Sequence, residues 1–284
     1  ALSAARALGL PVATDFRTNF RAYSSHYGLG WVAPAVTAYL RAFHNRADCT
    51  MVPTEEMAVE LGRQGFRNLR VVGRGVNSSA FSPSRRDPAL RRHWSAPDDV
   101  PVALCVSRFA AEKNLPLAFE AFRAMRAAHP GTRLILVGVG PIAEELKHAN
   151  LGLVVDARLD DGELSAYYAS ADIFLFPSTT ETFGNVTLEA MASGLAVVAY
   201  DYAAARRHIV HGRSGLLAPV NDRIGFIEHA AVLACDLPRA RALARHARGV
   251  AQTLGWDAVA QDFEAVLRET VAQQAVAKGR RAAA

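Results

Sequence analysis

Two acids, Glu181 and Glu189, stand with seven residues between them across the junction of an apolar run (173–177) and an amphipathic stretch that begins near Asn185. The junction reads Ser178-Thr179-Thr180-Glu181-Thr182-Phe183-Gly184-Asn185-Val186-Thr187-Leu188-Glu189. This spacing predicts Glu181 on a strand-to-helix loop and Glu189 about one turn inside the helix. Gly184 and Asn185 then expose backbone N–H groups at a helix tip, where unpaired donors and the helix dipole favour an anion. Two carboxylates beside such a tip can clasp hydroxyl-rich groups, such as a sugar and a ribose. They cannot bind a phosphate, which is left to the N–H groups, the Thr187 hydroxyl and nearby cations. The same two acids could serve a glycosidase as acid and nucleophile, or simply complement the dipole of a helix start.

The cations come from Ser107-Arg108-Phe109-Ala110-Ala111-Glu112-Lys113-Asn114, directly after another apolar run. Arg108 and Lys113 on one such loop can converge on one anion, and a departing diphosphate needs positive charge from side chains or a metal. The chain has three lysines in all, so a lysine here is informative. On a merely solvated loop, Glu112 would pair with Lys113. A glycosidase reading leaves Arg108 and Lys113 without work. A third pattern, Gly138-Val139-Gly140-Pro141-Ile142-Ala143 with Asp156 further on, matches a dinucleotide fingerprint and keeps an NAD(P)-binding oxidoreductase open as the alternative. It is the second strand–helix pair of its domain, however, and tight turns want glycine without any ligand. His208 and His211 lack a third ligand and read as a surface helix end, so no metal site is expected.

The elements that must position these residues follow from hydropathy. Short Val/Ile/Leu runs alternate with longer amphipathic stretches, the pattern of parallel strands buried on both faces and covered by helices. Strands are expected at 102–107, 133–137, 153–155, 173–177, 196–200 and 215–218, enough for a doubly wound α/β sheet. The earlier part predicts helices at 2–8, 31–46 and 54–64 and strands at 11–16, 49–52 and 69–72, too few to complete such a sheet. It opens on a helix with no strand before it, so roughly 100 further residues are expected ahead of it. Four segments result. Residues 1–81 are the remnant of a first α/β domain, and 82–100, with three prolines among charges, are a linker. Residues 101–255 are a second domain, and 256–284 are a final helix with a basic tail. In that helix Trp256, Val259, Phe263, Val266 and Leu267 form one stripe.

Composition narrows the classes. Apolar residues make up 51% of the 284 positions, which excludes disorder as the main state. No stretch is long and apolar enough to span a bilayer. Cys49, Cys105 and Cys235 are too scattered for a disulfide framework or a zinc knuckle, and are expected as core thiols of a cytoplasmic protein. Of the net charge of +5, most lies in residues 1–81, where nine Lys/Arg face five Asp/Glu. That excess suits an anionic substrate or peripheral contact with the inner face of a membrane. Nucleic acid is not expected, because no basic block is interleaved with aromatics.

Taken together, Glu181 and Glu189 resemble the E-x7-E motif of retaining glycosyltransferases of family 4, and Arg108 with Lys113 resembles that family's R-x4-K pair. Gly73-Arg74-Gly75-Val76-Asn77, with Phe81, looks like its hinge segment. Residues 18–23 (Thr18-Asn19-Phe20-Arg21-Ala22-Tyr23) resemble an acceptor-side loop of GDP-mannose-dependent α-mannosyltransferases and their sulfolipid-synthase relatives. The resemblance implies a GT-B fold, two Rossmann-like doubly wound domains with the first incomplete. It implies transfer of a hexose, mannose by preference, from a nucleotide-diphosphate sugar to a lipid or saccharide acceptor, without metal or cofactor. A UDP-sugar-dependent transferase of the same fold is the nearest variant. Arg108, Lys113 and Glu181 are the implied catalytic residues. The implied nucleotide-binding set is Ser107, Gly138, Gly140, Arg158, Phe183, Gly184, Asn185, Thr187 and Glu189, with Glu189 on the ribose. Three departures stand out. The family's N-terminal glycine-rich loop is absent, arginine occupies position 17 where relatives carry histidine, and Ser107 replaces a glycine. A chain lacking one wall of the cleft is expected to bind the donor but transfer poorly.

Overall fold

The computed structural model describes residues 2–18, 30–148 and 152–282, and the chain divides into two units, residues 1–74 with 256–284, and residues 75–255.

In the first unit three parallel strands, β1 (Ala13–Asp15), β2 (Cys49–Val52) and β3 (Leu69–Val71), lie in the order β1-β2-β3. Phe16, Val52, Met57, Leu61 and Phe66 form one apolar cluster, and Cys49, Met51 and Val72 form another. The last helix, Trp256–Ala282, supplies Val259, Val266 and Leu267 to the second cluster, so this helix is part of the first unit and not a free appendage. Its expected stripe is only partly used: Trp256 and Phe263 stay exposed at 48% and 41%. Among the described residues no helix is long and apolar enough to cross a membrane.

The second unit holds six parallel strands: β4 (Val102–Val106), β5 (Arg133–Gly138), β6 (Leu153–Asp156), β7 (Ile173–Phe176), β8 (Ala196–Tyr200) and β9 (Leu216–Ala218), in the order β6-β5-β4-β7-β8-β9. Alternate residues feed two cores. Leu104, Val106, Val137, Phe174, Phe176 and Val197 join one, and Ala103, Cys105, Leu136, Leu175 and Val198 join the other. Burial on both faces is why these strands read as unbroken apolar runs. The strand order reverses between β4 and β7, and in open α/β sheets the crevice outside the carboxyl ends at that point is where ligands bind.

The stretch 82–100 is folded into this unit and is not a loose linker. It carries a helix, Pro88–His93, capped by the Asp87 carboxylate, which accepts from the Ala89 N–H. Buried Arg91 donates to Asp172 Oδ2 at 2.8 Å and to the carbonyls of Ser170, Pro97 and Val100. Asp172 also accepts from the Val102 N–H, so one buried ion pair ties this segment to the starts of β4 and β7. Cys49 and Cys105 are buried as expected, but Cys235, the last residue of helix Arg223–Cys235, is exposed.

Candidate functional site

The loops after β4 and β7 flank the reversal point. After β4 the chain makes a one-turn 3₁₀ helix, Ala111–Lys113, closed by Asn114 at φ 52°. Asn114 reaches across to donate to the Pro177 carbonyl at 3.3 Å, which fastens the first loop to the end of the second. This tight turn sends consecutive side chains to different places. Glu112 is fully buried and pairs with Arg108, whose own side chain is half exposed. Lys113 leaves Glu112 alone and donates from Nζ to Glu181 Oε1 at 2.5 Å, with both side chains about nine-tenths covered. The Glu112–Lys113 pair of a merely solvated loop therefore does not form. Each cation is matched to an acid, one within its own loop and one across the switch point.

Glu181 is held further by Ser178, whose hydroxyl donates to the same Oε1 at 2.6 Å. Its carbonyl accepts from the Tyr202 hydroxyl at 2.9 Å, and the Phe183 carbonyl accepts from the Ala204 N–H. The turn after β8 thus braces the loop after β7, with Ala203 itself at φ 51°. Gly184, at φ 91°, closes the loop and begins helix Asn185–Ala192. A left-handed residue at that position favours glycine, and the first N–H groups of the helix have no partner within it.

Of the nucleotide-binding set, Asn185 is exposed at the helix tip and Gly184 is half-buried. The Phe183 ring is buried, 5.9 Å from the His208 ring. Thr187 is also enclosed, its N–H bonded to the Gly184 carbonyl and its hydroxyl buried without a hydrogen-bond partner among the described residues. Arg158 is exposed on the loop after edge strand β6. Ser107 bonds the Arg108 carbonyl at 3.1 Å. Residues 19–23 of the acceptor-side segment lie outside the described residues, and Arg17 pairs with Asp15 at 2.6 Å in the first unit.

Gly138 and Gly140 have a purely internal reason to be glycine. A Cβ on Gly138 would lie 1.8 Å from the Ser107 carbonyl oxygen, and one on Gly140 would lie 2.2 Å from that of Phe109. The two glycines let the loops after β4 and β5 touch, and the Phe109 N–H donates to the Val139 carbonyl there. That contact fixes the loop carrying Arg108 and leaves the fingerprint without need of a dinucleotide.

Glu189 lies on the helix that starts at Asn185 and accepts from the hydroxyl of fully buried Tyr168 at 3.0 Å. Burial pushes its carboxyl above the ordinary range, Tyr168 pulls it back, and Asp161 adds a smaller upward push. Burial likewise pushes the Cys105 thiol up to about 12, which removes it as a nucleophile. Ser178, Tyr168 and Tyr202 are the members that sequence reading missed, and for Glu112 it named the wrong partner. Only Ser178, just ahead of Glu181, carried any signal.

Residues 1–80 match the family described as Glycosyltransferase Family 4, and residues 100–236 the family described as Glycosyl transferases group 1. The chain is 36% identical to a GDP-mannose-dependent alpha-mannosyltransferase of Mycolicibacterium smegmatis over 78% of its own length and 57% of the relative's. It is 34% identical to the sulfoquinovosyl transferase of Arabidopsis thaliana over 70% of its length and 39% of the relative's. It therefore spans little more than half of one relative and less than half of the other. Among solved structures, sucrose-phosphate synthase from Thermosynechococcus elongatus superposes with a TM-score of 0.76 at 25% identity, covering 93% of this chain and 69% of that one. The chain shares the GT-B fold of that structure.

Proposed function

The chain belongs to the group-1, family-4 glycosyltransferases, and from that premise we propose that its second unit binds a nucleotide-diphosphate sugar at the crevice between β4 and β7. The whole protein, on this reading, transfers a hexose with retention of configuration, and GDP-mannose is the donor. One observation carries the proposal: Lys113 from the loop after β4 and Glu181 from the loop after β7 meet at 2.5 Å, within four residues of the helix tip at Asn185. The diphosphate would lie over that tip, with Arg108 and Lys113 opposing the charge that builds on it as the sugar leaves. Positive groups already held in place need no reorganisation during the reaction, which is often the largest single catalytic contribution. Glu181 would steady the sugar and Glu189 the ribose. No metal enters this scheme. The acceptor is a lipid or a saccharide, and the basic excess of residues 1–81 suits a protein working beside an anionic membrane in the cytoplasm.

Thermal stabilisation by GDP, UDP and ADP tests the donor. GDP is expected to raise the unfolding temperature most, and equal or absent responses would refute the nucleotide assignment. Stronger stabilisation by UDP would favour the variant seen in the Anabaena protein HepE solved with UDP-glucose, a 19% identical structure with a TM-score of 0.77 that covers 94% of this chain and 75% of its own. Replacing Arg108 by Ala should cost at least ~10²-fold in transfer by the full-length protein, by analogy with the loss of one oxyanion donor. The oxidoreductase alternative is disfavoured because Gly138 and Gly140 are already used by the backbones of Ser107 and Phe109.

A further inference from the structure

We propose that Tyr168 is a positioning residue of the donor site, holding Glu189 by one oxygen so that the other is presented to a vicinal diol. The inference rests on the reading of the site given above. Tyr168 belongs to helix Asp161–Ser170, which ends just before β7, and it is completely buried. Its ring packs edge-on against Phe81 at 5.7 Å and tilted against Phe174 at 5.6 Å. A phenylalanine would satisfy that packing. The hydroxyl is the additional feature, and a buried hydroxyl costs free energy unless it finds a partner. Its partner is Glu189 Oε2 at 3.0 Å.

From the side of the acid, the arrangement is selective. Oε2 is taken by Tyr168, and Oε1 has no partner among the described residues. Oε1 is also absent from the buried, unsatisfied polar atoms of this half-buried residue, so it reaches solvent. A carboxylate fixed by one oxygen and open at the other is a directional acceptor for neighbouring hydroxyls. It must also be ionised to accept well, and here its surroundings compete. Burial and Asp161 favour the protonated acid, and the Tyr168 hydroxyl favours the anion. Tyr168 and Asp161 are the titratable groups that act on Glu189. The hydroxyl of Tyr168 therefore sets both the direction and the charge of the group that reads the ribose.

The test compares Tyr168→Phe with the unaltered chain by titration with GDP and UDP and with their 2′,3′-dideoxy forms. Loss of one hydrogen bond to a charged group predicts roughly 10-fold or more weaker binding of the ribonucleotide that the unaltered chain prefers. The dideoxy form should change less than about twofold, because it lacks the hydroxyls that Glu189 would hold. The loss should grow as pH falls, because a less supported Glu189 takes up its proton sooner. In a Glu189→Gln background the Tyr168→Phe change should have little further effect. Equal losses for the ribo and dideoxy forms, or no loss for either, would overturn the proposal. Failure of Tyr168→Phe to fold would overturn it too, since the ring packing is preserved and only the positioning of the acid should be lost. An unaltered chain that binds neither GDP nor UDP would instead sink the site reading itself, and this inference with it.

Discussion

Replacing Lys113 by Met should unfold the second unit at a markedly lower temperature. The substitution removes the ammonium that sits 2.5 Å from Glu181 and leaves the carboxylate, among the described residues, with only Ser178 as a side-chain donor. Both partners are about nine-tenths covered, so little solvent screening discounts the loss. Breaking a fully buried pair from one side costs about 3–5 kcal/mol, and the residual exposure here points to about 2–4 kcal/mol. For a unit of this size each kcal/mol lowers the midpoint by about 2–4 °C, which predicts a drop of about 5–15 °C in thermal unfolding followed by circular dichroism. Adding Glu181→Gln should restore most of the loss, because the orphaned charge is then gone. The restored double variant should still bind the nucleotide diphosphate at least ~10-fold more weakly, since a charge-assisted contact to the phosphate is missing. A drop below about 2 °C for Lys113→Met, or a double variant less stable than either single one, would refute the shared contact. The convergence of the two loops would then lose its support.

Gly140→Ala should destabilise the second unit by about 2–3 kcal/mol in denaturant unfolding, because the new Cβ meets the Phe109 backbone, which has no rotamer to change. A variant as stable as the parent would return these glycines to the role of ligand contacts. Glu189→Gln should change the pH dependence of stability. Burial raises the carboxyl of Glu189 in the folded chain, so the acid favours folding while protonated and loses that contribution as pH rises through its folded value. The glutamine variant should therefore melt higher than the parent at neutral pH and show no such gain below about pH 4. A gain that is the same at every pH would show that the carboxyl is not perturbed.

The second sheet was legible because strands buried on both faces need apolar residues at every position, as in Val102–Val106 and Ala196–Tyr200. Glu181, Glu189, Arg108 and Lys113 stood out in the sequence by type and spacing, and the structure brings Lys113 and Glu181 together. What stayed hidden depends on partners far away in sequence. Arg91 lies among prolines and charges and reads as part of a linker, but Asp172 draws it into the protein interior. Lys113 follows Glu112 directly, and only the left-handed Asn114 and the 3₁₀ turn before it separate their partners. Phe183 sits in the middle of the polar junction, yet its ring belongs to the core. The stripe on the last helix foretold an apolar face but not that three small strands more than 180 residues upstream would receive Val259, Val266 and Leu267.

The shared core of the last helix and the first strands bears on the order in which a growing polypeptide can mature. Residues 75–255 are contiguous, so everything their sheet requires has emerged once Gly255 leaves the ribosome. The sheet of β1, β2 and β3 is translated earlier but must wait with Cys49, Met51 and Val72 uncovered until Val266 and Leu267 arrive. The half made first is completed last, and a ribosome stalled just after Gly255 has emerged would hold a folded second unit beside an unfinished first one.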